Sequence, residues 1–450
     1  MIHLKIKGYI IKFIKIVAFA GIFVWIYSNV SSVMTPFSRF NYFLAGFYEE
    51  EEKTLDAVYI GSSNCHTYWN SLFAWEQYGI NVYPYTANSL PFSSAEYVIK
   101  EVRNRQPNAV FVVNINTLGD EEITMSQSHN LLDHMPLTFE KLALTKFLCE
   151  FGEYPRDDHW EYYFPIIQYH SRWGDITESD FYNVTDGYKG ACNFDIYKKK
   201  STNIFNGFKQ TEEVGVLSEK MEKALKSLLE YCKSEDIEIV FVTVPQSRPD
   251  LEDVKKYNRV NEMVSEYGFR VLDLIGNIED TEMDLKVDFY NSKHANIHGS
   301  IKYTQFLSEY LIENFKFEDK RGKAEYSDWD KAYNEYYKEF SPYVLDIELD
   351  SKYRDYSLEA PSEKDILTTA NGTSVRLEWK SIEGATGYVI YKKSGKNGAW
   401  KKTGYSNQLI YEDKDVKEGK KYTYTIVPFY EKDGENYYGK HLYKGVNVTN

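Results

Sequence analysis

Cysteine is scarce in this chain: four residues, Cys65, Cys149, Cys192 and Cys232, are spread over 450 positions without a CxxC pair. Such spacing indicates neither a zinc site nor a dense disulfide framework, although pairing among the four stays open. No metal or cofactor is expected. Positive charge is also in deficit, with 53 Lys and Arg against 67 Asp and Glu and a formal net charge of -14. No stripe of Lys and Arg follows the first turns, so a phosphate backbone is excluded as the main partner and no nucleic acid is expected. Beyond about residue 34 there is no long hydrophobic run.

Aromatic residues are abundant, with 40 Tyr and 26 Phe. They suit packed sheets and carbohydrate-contacting surfaces equally and decide nothing alone. The length is too great for one compact core and sufficient for two or three domains. Residues 16–33 form an almost unbroken apolar stretch, about 27 Å long if helical, and with the preceding turn long enough for a hydrocarbon layer. A transmembrane anchor over 9–34 is expected. Lys5, Lys7, Lys12 and Lys15 precede it and four glutamates, Glu49 to Glu52, follow it, which places the N-terminus in the cytoplasm and the rest outside the cell membrane. A cleaved signal peptide is the alternative. The stretch exceeds a usual signal core and lacks a clear small-x-small site, which favours an uncleaved anchor.

From residue 55 to about 341 strands alternate with helices. Residues 56–60, 81–86, 109–114, 237–244 and 271–274 read as strands, and residues 71–78, 94–105, 217–234, 255–267 and 298–315 as helices. That order predicts an α/β domain over 35–342, a mostly parallel sheet with helices on both faces, whose ligand site lies outside the carboxyl ends of the strands. Residues 119–215 break the alternation and are rich in Trp, Tyr and His; they read as an insertion over the site. His170 and Arg172 within it are expected to line the approach to the site, or else to belong to a solvated surface. Residues 343–360 read as a linker. Short alternating strands then recur at 374–379, 388–393, 409–412, 422–429 and 445–448, a β-sandwich pattern over 361–450.

Two stretches carry chemistry. In DAVYIGSSNCH, residues 56–66, strand formers stop at Gly61, and two hydroxyls, Ser62 and Ser63, follow at a tight turn. A strand delivering a serine to such a turn is where a nucleophile sits; the competing reading is a helix N-cap. In DFYNSKHANIHG, residues 288–299, a carboxylate, amides and two histidines stand together and supply the base that a serine lacks.

The large domain resembles the SGNH/GDSL hydrolase superfamily, and more closely its membrane-anchored cell-surface O-acyltransferases, which include the D-alanyl transfer protein and the alginate O-acetyltransferases. Gly61-Ser62-Ser63 matches the first block, and His294, Asn296 and Gly299 match the HxNxxG arrangement of the last. The resemblance implies a flavodoxin-like sheet, Ser63 as nucleophile with its backbone amide in the oxyanion hole, and His294 as base. It implies an aspartate three residues before the histidine, where this chain has Asn291. Asp288 is then a substitute acid, or Asn291 itself orients a Ser-His dyad. Asn88 stands in place of an oxyanion-block glycine, and Asn114 or Asn116 near the third block. The C-terminal residues resemble a fibronectin type III module: Trp379 stands in its second strand, Gly384 to Tyr388 lead into the third, and Gly419 precedes Tyr422 as in a tyrosine corner.

The expectation is an extracytoplasmic serine-dependent acyltransferase or esterase that modifies a cell-surface glycopolymer by ping-pong acyl transfer. By analogy with the family, a polytopic membrane-bound O-acyltransferase is the acyl donor partner. The alternative is a non-catalytic surface protein whose degenerate SGNH domain binds glycan or scaffolds an envelope assembly.

Overall fold

The computed structural model describes residues 2–37, 42–118, 122–181, 187–192, 210–285, 288–345, 355, 357–394 and 400–450. It begins with one continuous helix, α1 (Ile2–Met34). Its segment Tyr9–Met34 has a mean hydropathy of 2.1, long and apolar enough for a membrane span or a signal sequence. The large apolar side chains from Tyr9 to Ile26 are exposed, whereas Met34 is buried. A short helix, α2 (Tyr42–Phe47), follows and packs Phe43, Leu44 and Phe47 into the main core.

The large domain is built on five parallel strands, β1 (Ala57–Gly61), β2 (Val82–Thr86), β3 (Val110–Asn114), β4 (Ile239–Thr243) and β5 (Val271–Asp273), in the order β2-β1-β3-β4-β5. This is the flavodoxin-like order, whose chain reversal between β1 and β3 leaves a crevice at their carboxyl ends. All residues of β1 to β4 are buried, as continuous apolar strands covered on both faces must be. Alternate side chains serve opposite layers: Val58 and Ile60 face one core, Ala57 and Tyr59 the other. Two short helices, α3 (Ser63–Tyr68) and α4 (Ser71–Tyr78), separate β1 from β2. Helix α3 starts at the serine turn, where the N-cap reading placed a helix start, although its six residues, four of them polar (Ser63, Asn64, His66 and Thr67), show no helical period of their own.

Helix α5 (Ala95–Arg105) joins β2 to β3. The segment 119–215 lies only partly within the described residues. Its described part is helical, with α6 (Met125–Leu132), α7 (Phe139–Phe151), α8 (His159–Tyr163), α9 (Pro165–Tyr169) and two 3-10 turns, His170–Gly174 and Glu178–Phe181. Helix α7 packs on α5, while α9 and both turns touch α1. The expectation of a cover over the site is therefore corrected for α9 and the two turns: they lie against the end of the apolar helix, and it is α6 that reaches the strand ends, where Asn130 donates to the Asn88 carbonyl at 3.2 Å.

Helix α10 (Glu219–Ser234), capped by Ser218, turns Met221, Leu225, Leu228, Leu229 and Cys232 inward, and α11 (Leu251–Glu266) does the same with Val254, Tyr257, Val260 and Val264. The helical period of their apolar residues makes that stripe. Helix α12 (Ile297–Asn314) covers the opposite face through Tyr303, Leu307 and Leu311. Helix α13 (Ser327–Leu345) packs on α4. The expected linker, 343–360, falls largely outside the described residues.

The C-terminal module is an antiparallel sandwich resembling fibronectin type III. One sheet holds β6 (Ile366–Ala370), β7 (Val375–Trp379) and β10 (Ile410–Asp413); the other holds β8 (Gly387–Ser394), β9 (Lys401–Ser406), β11 (Lys421–Lys432), β12 (Glu435–Tyr438) and β13 (Val446–Thr449). Trp379 meets Tyr388 edge-on at 5.2 Å within its core. The Lys417 backbone N–H donates to the Tyr422 hydroxyl at 2.8 Å, a tyrosine corner. The module sits on the large domain through Tyr443, edge-on to Phe73 at 5.0 Å, and Lys444, paired with Glu309 at 2.8 Å.

Candidate active site

Strand β1 ends at Gly61 and Ser63 opens α3, so the hydroxyl emerges at the carboxyl end of a central strand beside the β1/β3 reversal. Close approach requires the glycine: a Cβ on Gly61 would stand 2.9 Å from the Asn114 Cβ and 3.0 Å from the Cys65 Cβ. Ser63 is half-buried. As the first helical residue, its own N–H has no intrahelical acceptor. Ser62, buried, holds the N-cap position, makes no side-chain cap bond and accepts the Cys65 N–H on its carbonyl at 2.9 Å.

The histidine comes from a small hairpin preceding α12. Phe289 bridges Ala295, the Asn296 N–H donates to the Asp288 carbonyl at 2.9 Å, and the Tyr290 N–H donates to the His294 carbonyl at 3.2 Å. Asn296 closes the unit as the N-cap of α12, accepting from His298 and Gly299 at 3.0 and 3.2 Å. A Cβ on Gly299 would fall 2.2 Å from the Asp288 carbonyl oxygen, so the capped hairpin needs glycine there. The Ser247 N–H ties the hairpin to the end of β4 through the Ser292 carbonyl at 3.0 Å.

These two elements, 231 residues apart, bring Ser63 Oγ within 2.9 Å of His294 Nε2. On the other side of the ring, Nδ1 lies 3.0 Å from Asn291 Oδ1. Two obligatory donors, the backbone N–H groups of Lys293 and His294, also point at that Asn291 atom, both at 2.9 Å. It is therefore the amide oxygen, and Nδ1 must carry the proton. Nε2 then carries the lone pair to which Ser63 donates, the tautomer that general-base activation of a serine requires. Tyr290 stacks on the imidazole at 5.5 Å with 10° between the planes.

Asp288 takes a different part. It is 1% exposed, pairs with Lys302 at 2.7 Å and accepts the Asp284 N–H at 2.6 Å. Of the two alternatives for orienting His294, the geometry selects Asn291 and corrects the assignment of Asp288 as substitute acid: the carboxylate neutralises a lysine on α12 and fixes the root of the hairpin. His170 and Arg172 are corrected as well. The His170 Nδ1–H donates to the Ile167 carbonyl at 2.6 Å, and Arg172 donates to the Met34 carbonyl at 2.5 Å and to Asp180 at 2.7 Å, so its guanidinium secures the end of α1.

Among the asparagines, Asn114 lies beside Gly61 at the end of β3, its side chain buried and its Oδ1 accepting from the Asn116 N–H at 3.0 Å. Asn116 is a clamp to β4, accepting from the Val244 N–H at 2.8 Å. Asn88 is half-buried, and its carbonyl serves Asn130. Sequence reasoning missed His66. It stands one helical turn after Ser63, buried, stacked on Phe43 at 4.3 Å, with Nδ1 3.3 Å from the Thr86 hydroxyl at the end of β2. Burial and the neighbouring His294 push its pKa down to about 3, so it is a neutral ring at ordinary pH. The i, i+3 spacing from the serine was the signal that could have found it. Among the described residues no group of three or more His, Cys, Asp or Glu could hold a metal ion.

No family model matches the chain. An amylopullulanase of Thermoanaerobacterium thermosulfurigenes is 37% identical over 79 residues, which are 17% of this chain and 4% of that protein's length. Among solved structures, a Fn3-like protein from Clostridium thermocellum is 18% identical over 19% of this chain and 88% of its own, with a TM-score of 0.16. A human collagen XX FN3 domain is 18% identical over 22% of this chain and 96% of its own, with a TM-score of 0.18.

Proposed function

We propose that the large domain is an SGNH-type serine acyltransferase or esterase, anchored in the cell membrane by α1 with its N-terminus in the cytoplasm, acting outside on a cell-surface glycopolymer. One observation carries the reading: the Ser63 Oγ to His294 Nε2 contact of 2.9 Å, with Nδ1 held at 3.0 Å by Asn291, at the carboxyl edge where open parallel sheets bind ligands. His294 takes the Ser63 proton as the oxygen attacks an ester carbonyl, and the C–O bond to the leaving alkoxide breaks as His294 returns the proton. An acyl-serine remains until a sugar hydroxyl or water attacks it in the same way. The Ser63 N–H is one oxyanion donor, a group of a kind worth about 3 kcal/mol. A polytopic membrane-bound O-acyltransferase is proposed as the source of the acyl group, since acyl carriers of the cytoplasm are absent outside.

The test is active-site labelling with a fluorophosphonate. Wild type should become labelled at Ser63, while Ser63→Ala should not and His294→Ala should react far more slowly. A folded wild type that takes no label would remove the enzyme reading. The rival reading, a non-catalytic glycan-binding or scaffolding domain, draws on Asn291 standing where a carboxylate is expected, and it would then hold.

A further inference from the structure

The described part of 122–181 carries apolar side chains that a water-facing surface does not need. Trp160, Ile167, Trp173 and Phe181 are 60%, 46%, 65% and 62% exposed. Scattered singly, such residues require no explanation. These gather where α1 enters the domain. Helix α9 and the two 3-10 turns touch α1; Phe164, on which Trp160 stacks at 6.0 Å, meets Tyr27 of α1 edge-on at 5.7 Å; and Arg172, next to Trp173, donates to the Met34 carbonyl.

The length of bare helix says what covers them. The apolar run begins after Lys15, residues 9–26 are exposed, and Tyr27, which meets Phe164, is the first described residue of α1 that is partly covered. The bare residues 16–26 span about 16 Å at 1.5 Å per residue, roughly half of a hydrocarbon layer about 30 Å thick. Even with Lys12 and Lys15 snorkelling so that the layer starts at Tyr9, it still reaches Tyr27. The last turns of α1, and whatever packs on them, therefore stand in the lipid, which favours Ile and Phe, or at its polar boundary, which favours Trp. We propose that the face carrying Trp160, Ile167, Trp173 and Phe181 is seated in the lipid leaflet in which α1 ends, holding the domain down on the bilayer instead of leaving it on a free stalk. This rests on the reading of α1 as a membrane span.

Nitroxide labels on single introduced cysteines test it, using the full chain in vesicles of phosphatidylethanolamine and phosphatidylglycerol with no other protein. The four native cysteines are buried. Labels at Trp160→Cys, Trp173→Cys and Phe181→Cys should favour collision with oxygen over a water-soluble nickel chelate severalfold more than a label at Leu367→Cys, an exposed position on β6, and should approach Phe19→Cys within α1. Oily values at Phe19 with watery values at the other three would overturn the proposal and leave the anchor standing; a partner protein would then be what covers this face. Watery values at Phe19 as well would remove the anchor, and the proposal with it. Brominated phospholipids give a second readout: quenching of tryptophan fluorescence should fall in a Trp160→Phe, Trp173→Phe variant, and equal quenching in both proteins would overturn the proposal.

Discussion

An Asn291→Asp substitution exchanges an amide nitrogen for oxygen and adds one negative charge beside the imidazole. The site already accepts it: Asn291 Oδ1 receives three N–H groups, from His294 Nδ1 at 3.0 Å and from the backbones of Lys293 and His294 at 2.9 Å, and a carboxylate accepts all three. The gain arises when His294 becomes cationic in the transition state. Two unit charges about 4 Å apart attract by about 4 kcal/mol at an effective dielectric constant near 20, and partial exposure of both residues reduces that to roughly 2–3 kcal/mol. Turnover should rise by about 30- to 150-fold at 1.36 kcal/mol per decade. The converse change, loss of the acid from serine triads, costs about four orders of magnitude and bounds the gain from above. The assay is hydrolysis of an aryl acetate, read as kcat/KM with the Ser63→Ala rate subtracted. Because a carboxylate stabilises the imidazolium, it raises the histidine pKa, so the acidic limb of the pH profile should move to higher pH. A folded Asn291→Asp protein with neither a faster rate nor a shifted limb would refute the assignment of Asn291 as the orienting group.

Asp288→Ala should act on stability, not chemistry: it removes a buried carboxylate that pairs with the partly exposed Lys302 and accepts the Asp284 N–H, a loss of roughly 1–3 kcal/mol, visible as a lower Tm, while turnover of the folded protein at low temperature stays within a few-fold of wild type. Asn291→Ala should show the opposite balance, losing at least about tenfold in kcat/KM for a smaller change in Tm. Gly61→Ala forces a Cβ within 2.9 Å of Asn114, an overpacking cost of about 1–3 kcal/mol, and should slow fluorophosphonate labelling by displacing the serine turn. His66 gives a pH signature. Its pKa is about 3 folded and about 6.5 unfolded, so as pH falls through that window the unfolded chain binds the proton first and stability is lost, by up to about 1.4 kcal/mol per pH unit. Denaturant melts at pH 7, 6 and 5 should show a shallower decline for His66→Gln than for wild type; parallel declines would show that His66 is not buried as a neutral ring.

Much of this protein was legible without coordinates because the signals were local. Continuous apolar strands such as Ile239–Thr243 and helical stripes such as that of α10 bury themselves by period alone, and the glycine before Ser63 announced a tight turn. The strands missed in the sandwich, β6, β9 and β12, are short and carry exposed side chains on at least one face, so their pattern is weak. What local signals could not contain is which groups meet across long separations. Asp288 and Asn291 stand six and three residues before His294, equally plausible as orienting groups in one dimension. The hairpin closed by Phe289 and Ala295, with Lys302 one turn into α12, sends the first away and brings the second under the ring. Arg172 could be assigned to substrate from its type, but a partner 138 residues away claims it at the end of α1. Composition and period determine the layers, because burial is a property of single elements; hydrogen-bond partners are a property of their packing, and only the tertiary structure decided those.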